Sequence, residues 1–412
     1  MNVEELRSVE RAIVLKQGAT AGSLQRRANA VVFAYAEDYR AAGGPPVATT
    51  LPVRPDPVVT HAPGALPPFF SGLLPEGRRL TALRSAVKTS ADDELTLLLA
   101  VGGDAIGDVQ VVPTVEGSTV GATVEVEPRA VVSDWADVRF VDLLAASVGA
   151  PSQIDRVAIP GVQDKVSARM IQVPVARAND RFILKLDPPE FPHLVANEAF
   201  FLEATRRSGI GAAEAEIVHD AEGTPGLLVR RFDRVSDPSG HVGMLAQEDA
   251  CQVLARYPAD KYRVTTEAVI GALAGVCRAR PVAALVLLKQ FAFAYLSCNG
   301  DAHAKNFSIV RGRETEWRPS PAYDVPTSHV YDDHTMALTL NGKRGEDIGR
   351  RDFIDLGGAV GVRAPAVQRA LDELCERVDL WISDLAGLPF GEGRLRKLRR
   401  AIEYRRSRLS NA

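Results

Sequence analysis

The spacing of hydrophobic and polar positions changes character several times along this chain. Residues 1–40 mix apolar and charged positions in a partly helical pattern. From Gly43 to Pro68 the prolines Pro45, Pro46, Pro52, Pro55, Pro57, Pro63, Pro67 and Pro68 exclude helix and predict extended segments or loop. A helical stretch then follows Pro68 to Gly77 and ends at Gly102 to Val109. Val109 to Val126, rich in Val, Thr and Gly, predicts strand and turn. Between 129 and 235 strand and helix patterns alternate. Asp180 to Asp187 is a strand stopped by Pro188-Pro189. Leu194 to Arg207 is a helix with Gly209 as its C-terminal cap, and Gly226 to Asp233 is another strand. Residues 246–298 are helical in pattern, 299–342 are loops and short strands around acidic residues, and 350–410 return to helix. These shifts predict an α+β protein in three parts, 1–128, 129–235 and 236–412.

Composition narrows the class. At 412 residues the chain exceeds one compact core. Hydrophobic residues at 46% and charged residues at 25% are ordinary for a soluble globular protein. A net charge of −3 creates no whole-protein field that favours nucleic acid or membrane. Cys251, Cys277, Cys298 and Cys375 are widely spaced and predict buried thiols in a reducing compartment. The charged start Met-Asn-Val-Glu-Glu-Leu-Arg is not a signal peptide. The greasiest run, Pro281 to Cys298, contains Lys289 and Gln290 and falls short of the roughly 20 apolar residues of a spanning helix. The expectation is a cytoplasmic protein that does not engage a membrane.

The chemistry concentrates in Ser297-Cys298-Asn299-Gly300-Asp301-Ala302-His303-Ala304-Lys305-Asn306-Phe307-Ser308-Ile309. Asp301 precedes Asn306 by five residues, after a long apolar helix and before a strand-like run. Protein kinases use that spacing in their catalytic loop, where the Asp orients the substrate hydroxyl and the Asn helps hold magnesium. Asp324, in Pro321-Ala322-Tyr323-Asp324, stands where a kinase carries its other metal ligand. Lys185 sits mid-strand on the face of Ile183, where a charge needs a partner. Glu198, thirteen residues on, lies in the helical stripe of Val195, Leu202 and Thr205. A strand lysine paired with a helix glutamate is how kinases hold the lysine against phosphates. Alone, both residues read more simply as solvated surface charges; the acids downstream reverse that preference.

Other features are weaker. Arg156 to Ser167 includes Gly161 and Lys165 and would let backbone amides approach phosphates, yet alone it reads as a turn. Asn299-Gly300-Asp301 fits ordinary turn chemistry, which explains neither Asn306 nor the polar His303 and Lys305. His303 would hydrogen-bond to fix Asp301. A metal site of His303, Asp301 and Asp324 needs more His or Cys than this region offers. Arg394 to Leu409 places Leu395, Leu398, Ile402 and Leu409 on one stripe and eight Arg and Lys elsewhere, which reads as a solvated amphipathic helix or, more sharply, as a DNA contact.

In order, these pieces resemble the HipA family of serine/threonine kinases, the toxins of bacterial HipBA-type toxin–antitoxin systems. The likeness runs from Phe69-Phe70 through Leu73-Leu74-Pro75-Glu76 and Gly103-Asp104-Ala105-Ile106-Gly107. It continues with Gly161-Val162-Gln163-Asp164-Lys165, Lys185, Asn197-Glu198, Arg231-Phe232-Asp233-Arg234 and Gln247 to Gln252. The Asp301-to-Ile309 loop and Tyr323-Asp324 complete it. The resemblance implies a bilobal, protein-kinase-like fold with an additional N-terminal subdomain and an all-helical C-terminal lobe. It implies ATP between the lobes, contacted by Pro160, Gly161, Val162, Gln163, Asp164, Lys165 and Lys185, and by the hinge Arg230, Arg231 and Phe232. His303, Lys305, Asn306, Tyr323 and Asp324 would complete the site, with Mg2+ on Asn306 and Asp324 and Asp301 as catalytic base. It also implies a HipB-like helix-turn-helix antitoxin dimer as partner, operator DNA reached mainly through that antitoxin, and an aminoacyl-tRNA synthetase as the class of protein substrate.

Two positions depart from the family. The phosphate loop often carries a serine, three residues before the Gly-Val-Gln unit, that is autophosphorylated and switches the kinase off; here it is Ala158, which has no hydroxyl. The hinge reads Arg230-Arg231, without a carboxylate to contact the nucleotide. The alternatives are a catalytically silent kinase fold acting as co-repressor with an antitoxin, and a lipid or small-molecule kinase on the same scaffold. The retained Lys185, Glu198, Asp301, Asn306 and Asp324 favour the active enzyme.

Overall fold

The computed structural model describes residues 3–27, 30–61, 64–114, 131–143, 170–177, 180–237, 239–312 and 316–410. The N-terminal part is built on a five-stranded antiparallel sheet. Its strands are β1 (Arg11–Lys16), β2 (Ala19–Arg27), β3 (Ala30–Tyr35), β4 (Val58–Thr60) and β5 (Val109–Pro113), in the order β4-β3-β2-β1-β5. Helices α1 (Glu37–Ala41), α2 (Pro68–Ser71), α3 (Gly77–Val87) and α4 (Glu94–Val101) belong to the same part. Leu24, Phe33, Phe70, Leu95, Leu98 and Val111 share its core.

The partly helical reading of residues 1–40 holds only at the ends, in a 3-10 turn over Val3–Ser8 and in α1. The rest is a three-stranded meander. Gln17 and Gly18 join β1 to β2 with φ of 52° and 79°, the left-handed pair that a tight hairpin turn requires. Opposite Val14/Leu15 the register shifts by one, leaving Ala21 as an extra residue in β2, which breaks the two-residue alternation and hides that strand from a periodicity reading.

The middle part is a second antiparallel sheet of β6 (Ile171–Arg177), β7 (Asp180–Leu186), β8 (Ala215–His219) and β9 (Pro225–Arg230), ordered β6-β7-β9-β8. Val173, Val175, Leu184 and Leu228 pack there against Trp135 and Phe140. Helix α5 (Leu194–Arg207) follows β7 and ends at Ser208, with Gly209 at φ 76° beyond it, where a side chain would be strained. Its buried residues Val195, Phe201 and Leu202 join the C-terminal core, which also takes in Leu227 and Val229 of β9. The helix is therefore gripped from both sides.

A short ribbon of β10 (Arg234–Ser236) and β11 (Val242–Met244) leads into the C-terminal part. β12 (Gln247–Asp249), β13 (Ser308–Arg311) and β14 (Trp317–Pro319) form a small sheet. Around it lie α6 (Ala250–Val253), α7 (Thr266–Val276), α8 (Arg280–Leu296), α9 (Arg350–Ala359), α10 (Ala364–Arg377) and α11 (Glu392–Leu409). The lobe expected to be all helical is helical outside this small sheet, which anchors the far end of the acidic loop. α8 buries one stripe, Ala284, Leu287, Leu288 and Phe291, in its first half and every side of its second, from Gln290 to Leu296. The basic helix α11 packs Leu398, Ile402 and Leu409 into the same core. Its Arg405 is buried and donates to the carbonyls of Tyr295 at 2.7 Å and His334 at 2.9 Å. Among the described residues no helix is long and apolar enough to cross a membrane, and all four cysteines are free and buried.

Candidate active site

A cleft of about 250 Å3 lies where the three parts meet. On its sheet wall, Ile183 and Lys185 occupy alternate positions of β7 and face inward. Lys185 is 4% exposed and donates to Glu198 Oε1 at 2.6 Å and to the Asp324 carboxylate. Val195, Glu198, Leu202 and Thr205 recur at helical spacing on α5 and are all buried, which aims Glu198 at the lysine. Burial works against the Lys185 charge, but Asp324 and Glu198 outweigh it and raise its pKa. Burial pushes the Glu198 carboxyl up to about 7, against the pull of Lys185. One ammonium thus serves two carboxylates.

The loop after α8 is fixed mainly by amides. Cys298 turns the chain out of the helix with φ 58°, and Asp324 has φ 51°. Non-glycine residues in this region cost of order 1 kcal/mol each and gather at functional sites. Asn299 ties Asp301 to Asp324: its Oδ1 accepts from the Asp301 amide at 3.0 Å, and its Nδ2 donates to the Asp324 carbonyl at 3.1 Å. Gly300 must be glycine, because a Cβ there would meet the Thr335 carbonyl oxygen at 2.4 Å. Asn306 Nδ2 donates to the Asp301 carbonyl at 3.0 Å, which turns its Oδ1 toward other partners. Asn197, fully buried on α5, exchanges two hydrogen bonds with the Thr327 backbone at 2.9 and 3.0 Å, locking the segment after Asp324.

His303 hydrogen-bonds to Asp301 through its backbone, N–H to carbonyl at 2.7 Å, while the carboxylate is held by Tyr262, whose hydroxyl donates to Asp301 Oδ1 at 2.8 Å. His303 lies edge-on to the Tyr262 ring, 5.1 Å between centroids, and its Nδ1 has no hydrogen-bond partner among the described residues. Burial and the nearby Lys261 drive its pKa well below the usual range, so the imidazole is neutral. Lys305 reaches the cleft, yet its ammonium bonds to Asp249 at 2.8 Å and to the Gly72 carbonyl at 3.1 Å. It acts as a strut to the N-terminal part. Tyr323 donates to the Lys305 carbonyl at 2.7 Å, and its ring leans on Phe232 at 5.8 Å.

At the hinge, Arg230 is exposed and pairs with Asp180 at 2.7 Å. Arg231 is buried against Asp104 at 2.7 Å and Asp233 at 2.8 Å. Asp233 also accepts from the Gly107 amide at 2.8 Å, and Arg234 donates to the Gly107 carbonyl at 2.7 Å. Burial opposes the Asp233 charge, but Arg231 and Arg234 hold its carboxyl far below the usual range. Gly103–Gly107 and Arg231–Arg234 are therefore two halves of one joint. What this wall offers a planar ligand is apolar: Ile183, Val229 and Phe232, with Leu73, Leu74 and Ile106 from the N-terminal part. Pro160, Gly161, Val162, Gln163, Asp164 and Lys165, with Ala158, lie outside the described residues.

Sequence reasoning missed Tyr262, Asn299 and Glu76 as parts of the site. Glu76 carried a signal, since it stands in the Leu73-Leu74-Pro75-Glu76 unit; Tyr262 carried none.

A two-lobed fold with a strand lysine on a helix glutamate, and an Asp and an Asn five residues apart in a loop facing a second Asp, defines a protein-kinase-like protein. Residues 157–382 match the HipA-like C-terminal domain family and residues 12–112 the HipA N-terminal domain family. The chain belongs to the HipA family. It is 29% identical to the putative kinase Y4mE of Sinorhizobium fredii over 348 residues, 80% of each chain. It is 27% identical to the serine/threonine-protein kinase toxin HipA of Shewanella oneidensis over 343 residues, 77% of this chain and 75% of that one. Its fold matches a chain in the complex of Shewanella oneidensis HipA, HipB and operator DNA. That match has a TM-score of 0.75 at 20% identity and covers 96% of this chain and 97% of that chain.

Proposed function

We propose that this chain is an ATP-dependent serine/threonine protein kinase and the toxin of a HipBA-type pair, divided as 1–128, 129–235 and 236–412. The observation that carries the reading is the Lys185–Glu198–Asp324 cluster facing the Asp301 loop. In this reading the apolar wall takes the adenine ring and Lys185 takes the phosphates. Asp301 accepts the proton of a serine or threonine hydroxyl as its oxygen bonds to the γ-phosphorus and ADP departs. The donor set suits Mg2+: the Asn306 Oδ1 and the Asp324 carboxylate are hard oxygens. Among the described residues no three His, Cys, Asp or Glu side chains gather to cage an ion, so phosphate oxygens would complete the shell. Bound there, Mg2+ would neutralise the charge of the phosphates.

The test is incubation with labelled ATP, magnesium and a cell lysate, with aminoacyl-tRNA synthetases as the first candidate substrates. Label on serine or threonine of a discrete protein supports the reading. Label on lipid or a small molecule, or none at all, would favour the alternatives. Asn306→Ala and Asp324→Ala are each expected to weaken Mg-ATP binding by roughly tenfold or more, as loss of a metal-site contact does. Calorimetry checks this, and unchanged affinity in both variants would remove the pair from the metal site.

The partner follows from the same family. We propose a dimeric helix-turn-helix antitoxin of the HipB type, flanked by two toxin chains, with sequence recognition supplied by the antitoxin. On α11, Arg394, Arg396, Lys397, Arg399, Arg400 and Arg408 are exposed, but Arg396 and Arg399 are paired with Glu392 and Glu403 at 3.0 Å. This chain alone should therefore bind DNA weakly and lose it as salt rises. Gel shifts across a salt series, with and without antitoxin, measure this; tight operator binding by the isolated chain at physiological salt would contradict it.

A further inference from the structure

We infer that Tyr262 is the positioning residue for the base Asp301, and that the N-terminal subdomain sets its place through Glu76 and Lys261. The inference rests on the kinase reading above. A carboxylate has two equivalent oxygens and a free side-chain torsion, whereas a general base must present one oxygen to one hydroxyl. The Asp301 backbone is fixed by Asn299 and Asn306. Those bonds leave the side-chain torsion unset. The Tyr262 hydroxyl, bonded to Oδ1 at 2.8 Å, contacts the carboxylate directly and restrains that torsion.

The phenol is itself held from several sides. Its ring stands between the His303 edge at 5.1 Å and the Lys261 ammonium at 5.3 Å. Its carbonyl accepts from Arg344 at 3.1 Å. The preceding residue, Lys261, makes two further links. Its carbonyl accepts from the Ala304 amide at 3.2 Å, inside the Asp301 loop. Its ammonium reaches Glu76 Oε2 at 2.5 Å, just before α3 of the N-terminal subdomain. The second Glu76 oxygen is buried, 3.7 Å from Lys305, and accepts no hydrogen bond among the described residues. Glu76 therefore grips the loop at two lysines, and the Lys261 branch leads directly to the tyrosine that touches the base. A purely structural tyrosine would need a partner for its hydroxyl, but nothing would require that partner to be the catalytic carboxylate.

Three variants test this against the parent protein: Tyr262→Phe, which keeps the ring and its contacts, Glu76→Gln, and the double variant. Each is measured for kcat, KM for ATP, Kd for ATP and melting temperature. Tyr262→Phe should lower kcat roughly tenfold, the effect of one lost hydrogen bond on a charged group, while KM and Kd for ATP stay unchanged. Glu76→Gln should lower kcat roughly threefold, because the amide keeps a hydrogen-bond acceptor for Lys261 and loses only the charge of a pair worth about 1 kcal/mol or less. The double variant should be no worse than Tyr262→Phe, because both act on one torsion. Wild-type kcat in Tyr262→Phe, alongside an inactive Asp301→Asn, would overturn the role of Tyr262 and leave the kinase reading intact. Losses that multiply in the double variant would show that Glu76 acts by another route and overturn the link to the subdomain. Full activity in Asp301→Asn would take Asp301 out of the chemistry and the positioning role of Tyr262 with it, whereas absence of phosphoryl transfer by the parent protein would remove the kinase reading itself.

Discussion

Asp301→Asn is expected to fold like the parent protein and to lose phosphoryl transfer by at least about 100-fold, the contribution of a positioned proton acceptor. Folding should survive because the loop is held by atoms that the substitution leaves in place. The Asp301 amide still donates to Asn299, and its carbonyl still accepts from Asn306. An asparagine oxygen can accept from Tyr262 as the carboxylate oxygen does at 2.8 Å. What disappears is the ability to take a proton from the substrate hydroxyl. ATP binding should persist, since Lys185, Asn306 and Asp324 are untouched. Melting temperature, ATP affinity and turnover measured side by side check the prediction. Turnover within a few-fold of the parent would take Asp301 out of the chemistry, and the Tyr262–Asp301 bond would then be a structural contact.

The parts of this site that are legible in the sequence are those carried by short spacings. Asp301 and Asn306 lie five residues apart, and Glu198 follows Lys185 by thirteen across one strand-to-helix connection. The 2.6 Å pair between them needs only β7 and α5 to pack in register. Tyr262 lies 39 residues before Asp301 and reaches it only after α7 and α8 have folded back, a contact that no local pattern announces. The three parts of the chain are visible in shifts of period and proline content. How they join is not, because Asp104 and Arg231 are 127 residues apart. The hinge shows the difference well: nothing local announces the carboxylates that hold its arginines, Asp180 for Arg230 and Asp104 and Asp233 for Arg231. The first forty residues mislead for another reason, since one extra residue in β2, Ala21, erases the alternation that would mark a strand.

Lys185→Met should lower kcat/KM by at least about 100-fold, in line with removal of one preorganised charged donor from a reacting group, and should also destabilise the fold. Both consequences follow from the ammonium being shared. Glu198, 1% exposed, would keep a buried carboxylate without the lysine that answers it, and breaking a buried pair from one side costs about 3 kcal/mol or more. The loss is limited because the Glu198 carboxyl already sits at about 7 with the lysine present; without it, protonation near neutral pH becomes easier still. The sign of the pH dependence follows. Between the unfolded carboxyl value of about 4.3 and the raised folded value, the native state binds more protons than the unfolded chain. Stability of the variant must therefore fall as pH rises through that window, and more steeply above pH 7 than in the parent. Adding Glu198→Gln should recover much of the stability, and flatten the pH profile, without restoring turnover. Chemical denaturation from pH 5 to 8 on the single and double variants measures this directly. A Lys185→Met protein whose stability rises with pH over that range would show that Glu198 is charged and satisfied by some other group.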